Sequence, residues 1–150
     1  MRLVNPRKAD VIIAGIGGQG VLLAGEIVAG VLIRAGLSVK KYELRGISQR
    51  TGSVVCHIRA ADKVFSPVIP EGSADFLVGF ELIDTHRYRK FLKEDGSIIV
   101  MDKKIPFYSM GNSLIRCSDN LLAALRREFS KVMVIKYDEI DQCFRLANVI

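Results

Sequence analysis

The chain has 150 residues, 49% of them hydrophobic and 25% charged, which suits one domain with a sizeable core and excludes collagen-like, coiled-coil and low-complexity classes. Its longest apolar run, Val21 to Ile33, is broken by Glu26 and is too short to cross a bilayer as a helix. The net charge of +6 lies wholly in residues 1–60, where nine Lys and Arg face three acids, and Tyr42 is the only aromatic residue there, so nucleic-acid stacking is poorly supplied.

In chain order, the β-branched run Asp10 to Ala14 predicts a buried strand ended by Gly15. A glycine-rich loop follows, Gly15-Ile16-Gly17-Gly18-Gln19-Gly20, and then a helix over Val21 to Ala35, closed by Arg34 and Gly36. It is apolar almost all round, which predicts cover on most sides, with Gly25 and Gly30 permitting close packing on a sheet or another chain. Leu37 to Leu44 predicts a second strand and completes a strand, helix, strand start. Only eight residues, Arg45 to Gly52, separate it from the alternating stretch Ser53 to Arg59. A parallel crossover needs about a dozen residues, so this third strand is expected to run antiparallel.

Phe65 to Gly72 reads as a connection. Ala74 to Phe80 predicts a strand, Glu81 to Leu92 a helix with Leu82, Ile83, His86 and Leu92 on one face, and Asp95-Gly96 a turn into a strand over Ser97 to Met101. Met110 to Asn112 reads as loop and Ile115-Arg116 as a short strand. Ser118 or Asp119 can cap a helix whose stripe is Leu121, Leu122, Leu125 and Phe129. Lys131 to Tyr137 predicts the last strand, and Asp138 onward the start of a further helix. The expected fold is a single three-layer α/β/α, Rossmann-like domain over residues 1–150, with a mixed sheet.

Two loops carry the candidate chemistry. Gly15, Gly17 and Gly20 have dinucleotide-loop spacing between a strand and a helix, and Glu43, 23 residues after Gly20, ends the second strand near where a ribose-binding acid sits. The alternative is a tight turn packing on another backbone or subunit. The second loop, Glu43 to Gly52, carries Arg45 and Arg50 and can hold a phosphate or carboxylate bidentately, or be a solvated hairpin loop. Anionic cofactor groups or an acidic partner protein suit the basic portion.

No established catalytic set is present: there is no G-x-S-x-G, Walker loop or H-E-x-x-H, and His57 and His86 stand apart from Cys or Ser motifs. Glu81, Asp84 and Asp102 read as solvated or capping acids. Cys56, Cys117 and Cys143 have no metal or cluster spacing and read as buried thiols. The N-terminus lacks the apolar stretch of a secretory leader, which makes the cytoplasm the expected location.

Taken together, Ile13 to Val21, Glu43-Leu44-Arg45-Gly46, Arg50 to Val54, Ala74 to Glu81 and Gly96 to Val100 resemble the gamma subunit of 2-oxoacid:ferredoxin oxidoreductases, a group acting on pyruvate, 2-oxoglutarate, ketoisovalerate and indolepyruvate. The resemblance covers nearly the whole chain. It implies CoA-dependent oxidative decarboxylation of a 2-oxoacid with electrons passed to ferredoxin, by a complex of which this chain is a structural or interface subunit, inactive alone. Thiamine diphosphate, Mg and iron-sulfur clusters are expected in partner subunits (alpha, beta and a ferredoxin-like delta), and coenzyme A as co-substrate. The interface or cofactor-side residues carried over are Gly15, Gly17, Gly18, Gln19 and Gly20 in the first loop, and Glu43, Arg45, Gly46, Ser48, Gln49, Arg50 and Gly52 in the second. The competing reading is a free-standing nucleotide-binding module. Relatives continue past an Asn-containing helix, so a chain ending at Asn148-Val149-Ile150 is expected to be one C-terminal helix short of them.

Overall fold

The computed structural model describes residues 8–46, 52–102, 107–108, 114–115 and 120–137. The first strand, β1 (Lys8–Ile16), is buried on both faces after its first residue, as its β-branched run requires of a central strand. It continues through Gly15 and Ile16, two residues past the predicted stop. The first helix, α1 (Val21–Arg34), ends at a left-handed Gly36 with φ 85°. There the Gly36 N–H donates to Ile33 O at 2.9 Å and the Leu37 N–H to Leu32 O at 3.2 Å, the paired bonds that satisfy a helix C-terminus when glycine supplies the positive φ.

β2 (Ser38–Arg45) and β3 (Ser53–Ala61) form an antiparallel hairpin, as the short loop predicts. β3 also pairs antiparallel with β1 along its full length, filling the slot that the β1-α1-β2 crossover leaves open. β4 (Ala74–Gly79) lies parallel on the other side of β1, followed by α2 (Leu82–Tyr88), a 3₁₀ turn over Arg89–Phe91 and β5 (Leu92–Met101). β6 (Phe107–Tyr108) and β7 (Leu114–Ile115) form a small separate pair, and α3 (Leu121–Glu128) leads to β8 (Lys131–Ile135). The main sheet has the order β2-β3-β1-β4-β5-β8, and within it β3 runs against the others.

Alternation along β1 divides the core. Val11 and Ile13 join Cys56, Ile58 and α1 on one face, while Ile12 and Ala14 join Leu77, Ile98, Val100, Leu125 and Phe129 on the face that α2 and α3 cover. This is the three-layer α/β/α arrangement expected. The stripe of α3 packs as predicted, with Leu125 and Phe129 buried and Leu121 and Leu122 against them.

Three expectations change. Asp95-Gly96 makes no turn: β5 runs straight through it, and the register shifts between the Ala74–Leu92 and Phe76–Ser97 pairs, so the glycine serves a bulge. The helix predicted over Glu81 to Leu92 gives way to the 3₁₀ turn after Tyr88. Nor is α1 covered on most sides, since Leu23, Ile27, Val31 and Ile33 are exposed, Leu23 by 66%. Gly25 does pack closely, for a Cβ there would lie 2.8 Å from Cys56 Sγ, whereas Gly30 has no atom within 4 Å of that position. The predicted cap at Ser118 or Asp119, the loop at 110–112, Arg116 and the helix from Asp138 lie outside the described residues.

His57 shows how the connection after β3 is held. It is buried, and its Nδ1 accepts the Ile69 N–H at 3.2 Å, fixing the 65–72 strap over the sheet, with the Phe91 ring edge-on at 5.2 Å. Burial pulls the imidazole below its ordinary value of 6.5, so it is held neutral. A depressed folded value gives stability that is present above pH 6.5 and lost as pH falls through the folded value. H57L is therefore expected to be less stable by about 1–2 kcal/mol at pH 7.5 through the lost acceptor. It should also lose less stability than the parent between pH 7 and 5, as read by urea unfolding.

Candidate functional site

β1 has an antiparallel neighbour on one side and a parallel one on the other, and its crossover helix lies on the opposite face from α2. The C-terminal end of β1 is thus the switch point where open α/β sheets leave a crevice. Both candidate loops converge there. The Gly17 N–H donates to Gly52 O at 3.0 Å, and the Gly46 N–H to Ser53 O at 2.9 Å, so the glycine loop and the β2–β3 hairpin loop share a backbone bond. Segments about 35 residues apart become one surface.

Glycine is needed at specific points of it. A Cβ on Gly15 would lie 2.7 Å from Gln19 Oε1 and 2.9 Å from Phe80 Cβ, and one on Gly46 3.2 Å from the Gly52 Cα. Gly18 and Gly20 are left-handed, with φ 90° and 85°, and no atom lies within 4 Å of where their Cβ atoms would be. They present bare backbone outward at the N-terminus of α1, whose first N–H groups and positive dipole end suit an anion or a close-approaching backbone.

Gln19 has a different job from a ligand contact. Its Oε1 accepts the Ile16 N–H at 2.7 Å and its Nε2 donates to Phe80 O at 3.3 Å, so it clamps the loop to the end of β4. The Phe80 N–H in turn donates to Ala14 O at 2.9 Å. Glu43 is likewise engaged. It pairs with Lys41 at 2.7 Å and Arg45 at 3.0 Å, Lys41 also pairs with Glu26 of α1, and these hydrogen bonds hold the Glu43 carboxyl below its ordinary range. Because β3 stands between β1 and β2, Glu43 is one strand further from the glycine loop than the acid of a dinucleotide site, where the two strands are neighbours. Arg45 is exposed, and Ser48, Gln49 and Arg50 lie outside the described residues.

Beneath the joined loops sits a pair of acids whose burial the local sequence does not reveal. Glu81 and Asp84 are fully buried. Glu81 caps α2 by accepting the Asp84 N–H, and the Thr85 Oγ1 donates to Glu81 O at 2.5 Å. Arg87 Nη1 donates to Asp84 Oδ1 at 2.6 Å, and the Ser53 hydroxyl reaches both Asp84 and Tyr88 Oη, the latter at 3.3 Å. Burial raises both carboxyls, against the opposing backbone N–H bonds at Glu81 and against Ser53 and Arg87 at Asp84. The capping role expected of Glu81 holds and the solvated one does not. Asp102, at the end of β5, accepts the Tyr137 N–H at 2.7 Å.

Among the described residues no three His, Cys, Asp or Glu stand close enough to hold a metal. Burial pushes the Cys56 thiol up to about 11, far from the thiolate a cluster or nucleophile needs. Cys117 and Cys143 lie outside the described residues. No helix among the described residues is long and apolar enough to cross a membrane.

The family described as pyruvate ferredoxin/flavodoxin oxidoreductase matches residues 10–149. Indolepyruvate oxidoreductase subunit IorB of Archaeoglobus fulgidus is 36% identical over 137 residues, 90% of this chain and 68% of that protein. Its counterpart in Pyrococcus horikoshii is 32% identical over 146 residues, 96% of this chain and 72% of that protein. Among solved structures, pyruvate oxidoreductase subunit PORC of Thermotoga maritima superposes with a TM-score of 0.55 at 16% identity, covering 87% of this chain and 62% of its own. The gamma subunit of a keto/oxoacid ferredoxin oxidoreductase from Geobacter sulfurreducens gives 0.51 at 24%, over 63% and 50%. At those identities the structures speak to the fold alone. The chain spans about two thirds of the length of the curated relatives.

Proposed function

The chain belongs to the pyruvate ferredoxin/flavodoxin oxidoreductase family, and from that premise we propose that it is the gamma-type subunit of a 2-oxoacid:ferredoxin oxidoreductase complex. The relatives named for indolepyruvate support an aryl-substituted 2-oxoacid as the substrate class. The complex would break the bond between the carboxyl and oxo carbons, release carbon dioxide, pass the acyl group to the coenzyme A thiol and send two electrons to ferredoxin in the cytoplasm. Thiamine diphosphate, Mg and iron-sulfur clusters belong, in this reading, to the alpha, beta and delta partners.

The observation that carries the reading is the Gly17 to Gly52 bond. It turns two polar loops into one glycine-faced, side-chain-poor surface at the switch point, within the basic part of the chain. Such a surface lets a partner backbone or the phosphates of coenzyme A come close, while Gln19 and Glu43 are spent on holding it in shape. That division suits a binding edge whose polar side chains, among the described residues, are used to hold its shape.

Coexpression with the neighbouring subunits tests this. The complex is expected to turn over indolepyruvate with coenzyme A and ferredoxin, and the isolated chain to turn over nothing. G18V and G20V force a β-branched residue to a positive φ on the open surface, at about 1–2 kcal/mol each. They should retain the circular dichroism of the parent and either raise the KM for coenzyme A or lower subunit affinity at least tenfold. Thiamine-independent turnover by the isolated chain, or calorimetric binding of NAD by the isolated chain with no complex formed, would reject the proposal in favour of a free-standing module.

A further inference from the structure

The N-terminal end of β1, about 25 Å along the strand from the glycine loop, carries a second polar constellation. Register sets Lys40 of β2, Arg59 of β3 and Asp10 of β1 side by side, on the same face of the sheet as His57 and Ile12. The strap that follows β3 folds back over this row. Arg59 Nη1 donates to Ser66 O at 3.4 Å and to Val68 O at 3.3 Å, and Lys40 Nζ donates to Phe65 O at 3.2 Å, so the strap backbone is held at three carbonyls. Between strap and strands lies a cavity of about 190 Å³, and Lys8, Asp10, Arg59, Lys63 and Phe65 are among the residues that line it.

Asp10 is 1% exposed and both its oxygens are taken: Arg59 Nε donates to Oδ1 at 3.0 Å, and Lys8 Nζ stands 3.1 Å from Oδ2. A buried carboxylate with its cations gains little stability over an apolar set of the same shape, and such groups collect at binding sites. Here it fixes two cations on one wall. Arg59 spends four of its five N–H groups on Asp10 and the strap carbonyls, and the fifth has no partner among the described residues. Lys63 has no acidic partner among the described residues, and its Nζ lies 5.0 Å from the centroid of the Phe65 ring. Three cations, Lys8, Arg59 and Lys63, against the one acid leave the lining at +2; Asp62, exposed beside Lys63, is not part of it. The Phe65 ring is 78% exposed although its backbone is tied down, so the fold displays apolar surface at the mouth of a cationic cavity.

We propose that this cavity binds a small carboxylate that carries an aromatic ring, the carboxylate among Lys8, Arg59 and Lys63 and the ring against Phe65. Size agrees, since a cavity of about 150 Å³ takes benzene and the further volume suits one carboxylate arm. Inorganic phosphate would meet the cations and leave Phe65 bare. An aromatic amine would bring the wrong sign of charge. The site stands apart from the joined loops and does not depend on the catalytic assignment.

Titration of the full chain with 4-fluorophenylacetate, followed by fluorine NMR line width, tests it. The probe is expected to bind, K63E and F65A each to weaken it at least fivefold, and G18V in the glycine loop to leave it unchanged. Lys63 and Phe65 are exposed, so both variants should keep the parent melting temperature. 4-Fluorobenzylamine should not bind, and an equal concentration of phosphate should not displace the carboxylate. No binding, or undiminished binding in K63E and F65A, overturns the proposal. So does a fivefold loss in G18V, which would put the probe at the joined loops, and so does binding of the amine as tight as that of the carboxylate. Full displacement by phosphate would make the cavity a site for any anion and would overturn it too. An inactive complex with this titration intact would count against the proposed function alone.

Discussion

G79A is expected to lower the melting temperature by roughly 10 °C, an effect out of proportion to one added methyl group. Gly79 ends β4 where α2 crosses the sheet, and a Cβ there would fall inside contact distance of Thr85 Oγ1 and 2.8 Å from its Cβ. Neither side can give. Thr85 is fully buried and its hydroxyl is bonded to Glu81 O, while Gly79 is paired to Ala14 on one side and Val100 on the other. Overpacking of this kind costs about 3 kcal/mol, and a chain of this size loses about 2–4 °C per kcal/mol. Thermal unfolding of G79A, T85A and the double variant checks the cause. The double variant should recover part of the loss, because the removed Oγ1 and Cγ2 vacate space while the Cβ of residue 85, 2.8 Å away, still has to shift, and simple additivity would show that the clash is not the reason.

The strand, glycine loop, helix and strand of the N-terminal third were legible because each is a local signal: a β-branched run, glycines at fixed offsets and an apolar helix closed by Gly36. The reversal of β3 was legible too, since eight residues cannot carry a parallel crossover. What stayed hidden was decided by distant neighbours. Asp95-Gly96 is as much a bulge signal as a turn signal, and only the pairing of β4 with β5 chooses between them. An all-round apolar α1 states that something should cover it without stating what, and within the described residues half of that cover is missing. Counting residues set Glu43 near the glycine loop, but β3 came between. The glycines of the two loops could be picked out by type, yet nothing local foretold that Gly17 would bond to Gly52, or that Gln19 would serve as the clamp.

The acidic pair under the loops makes the last prediction. R87M is expected to lose about 2 kcal/mol of stability at pH 8 and little at pH 4, as read by urea unfolding across that range. Arg87 is the cation bonded to the fully buried Asp84 carboxylate, and removing the charged partner of a buried group costs several kcal/mol, here reduced because Arg87 itself is half exposed. The pH dependence follows from linkage. Burial raises Asp84 above its ordinary 3.8 even with Arg87 present. A carboxyl raised in the fold contributes stability that is fully present below the unfolded value and lost as pH rises through the folded value. Without Arg87 the folded value climbs further, so the variant goes on losing stability over a pH range where the parent has levelled off. The gap between them should open as pH rises from 4 and be nearly closed at the acid end. In D84N the carboxyl is gone, and adding R87M to it should leave a smaller pH-dependent difference, the part that Arg87 exerts on the buried Glu81. A gap of equal size at pH 4 and pH 8 in the single variant would mean that Arg87 acts through packing of its stem and not through the buried charge.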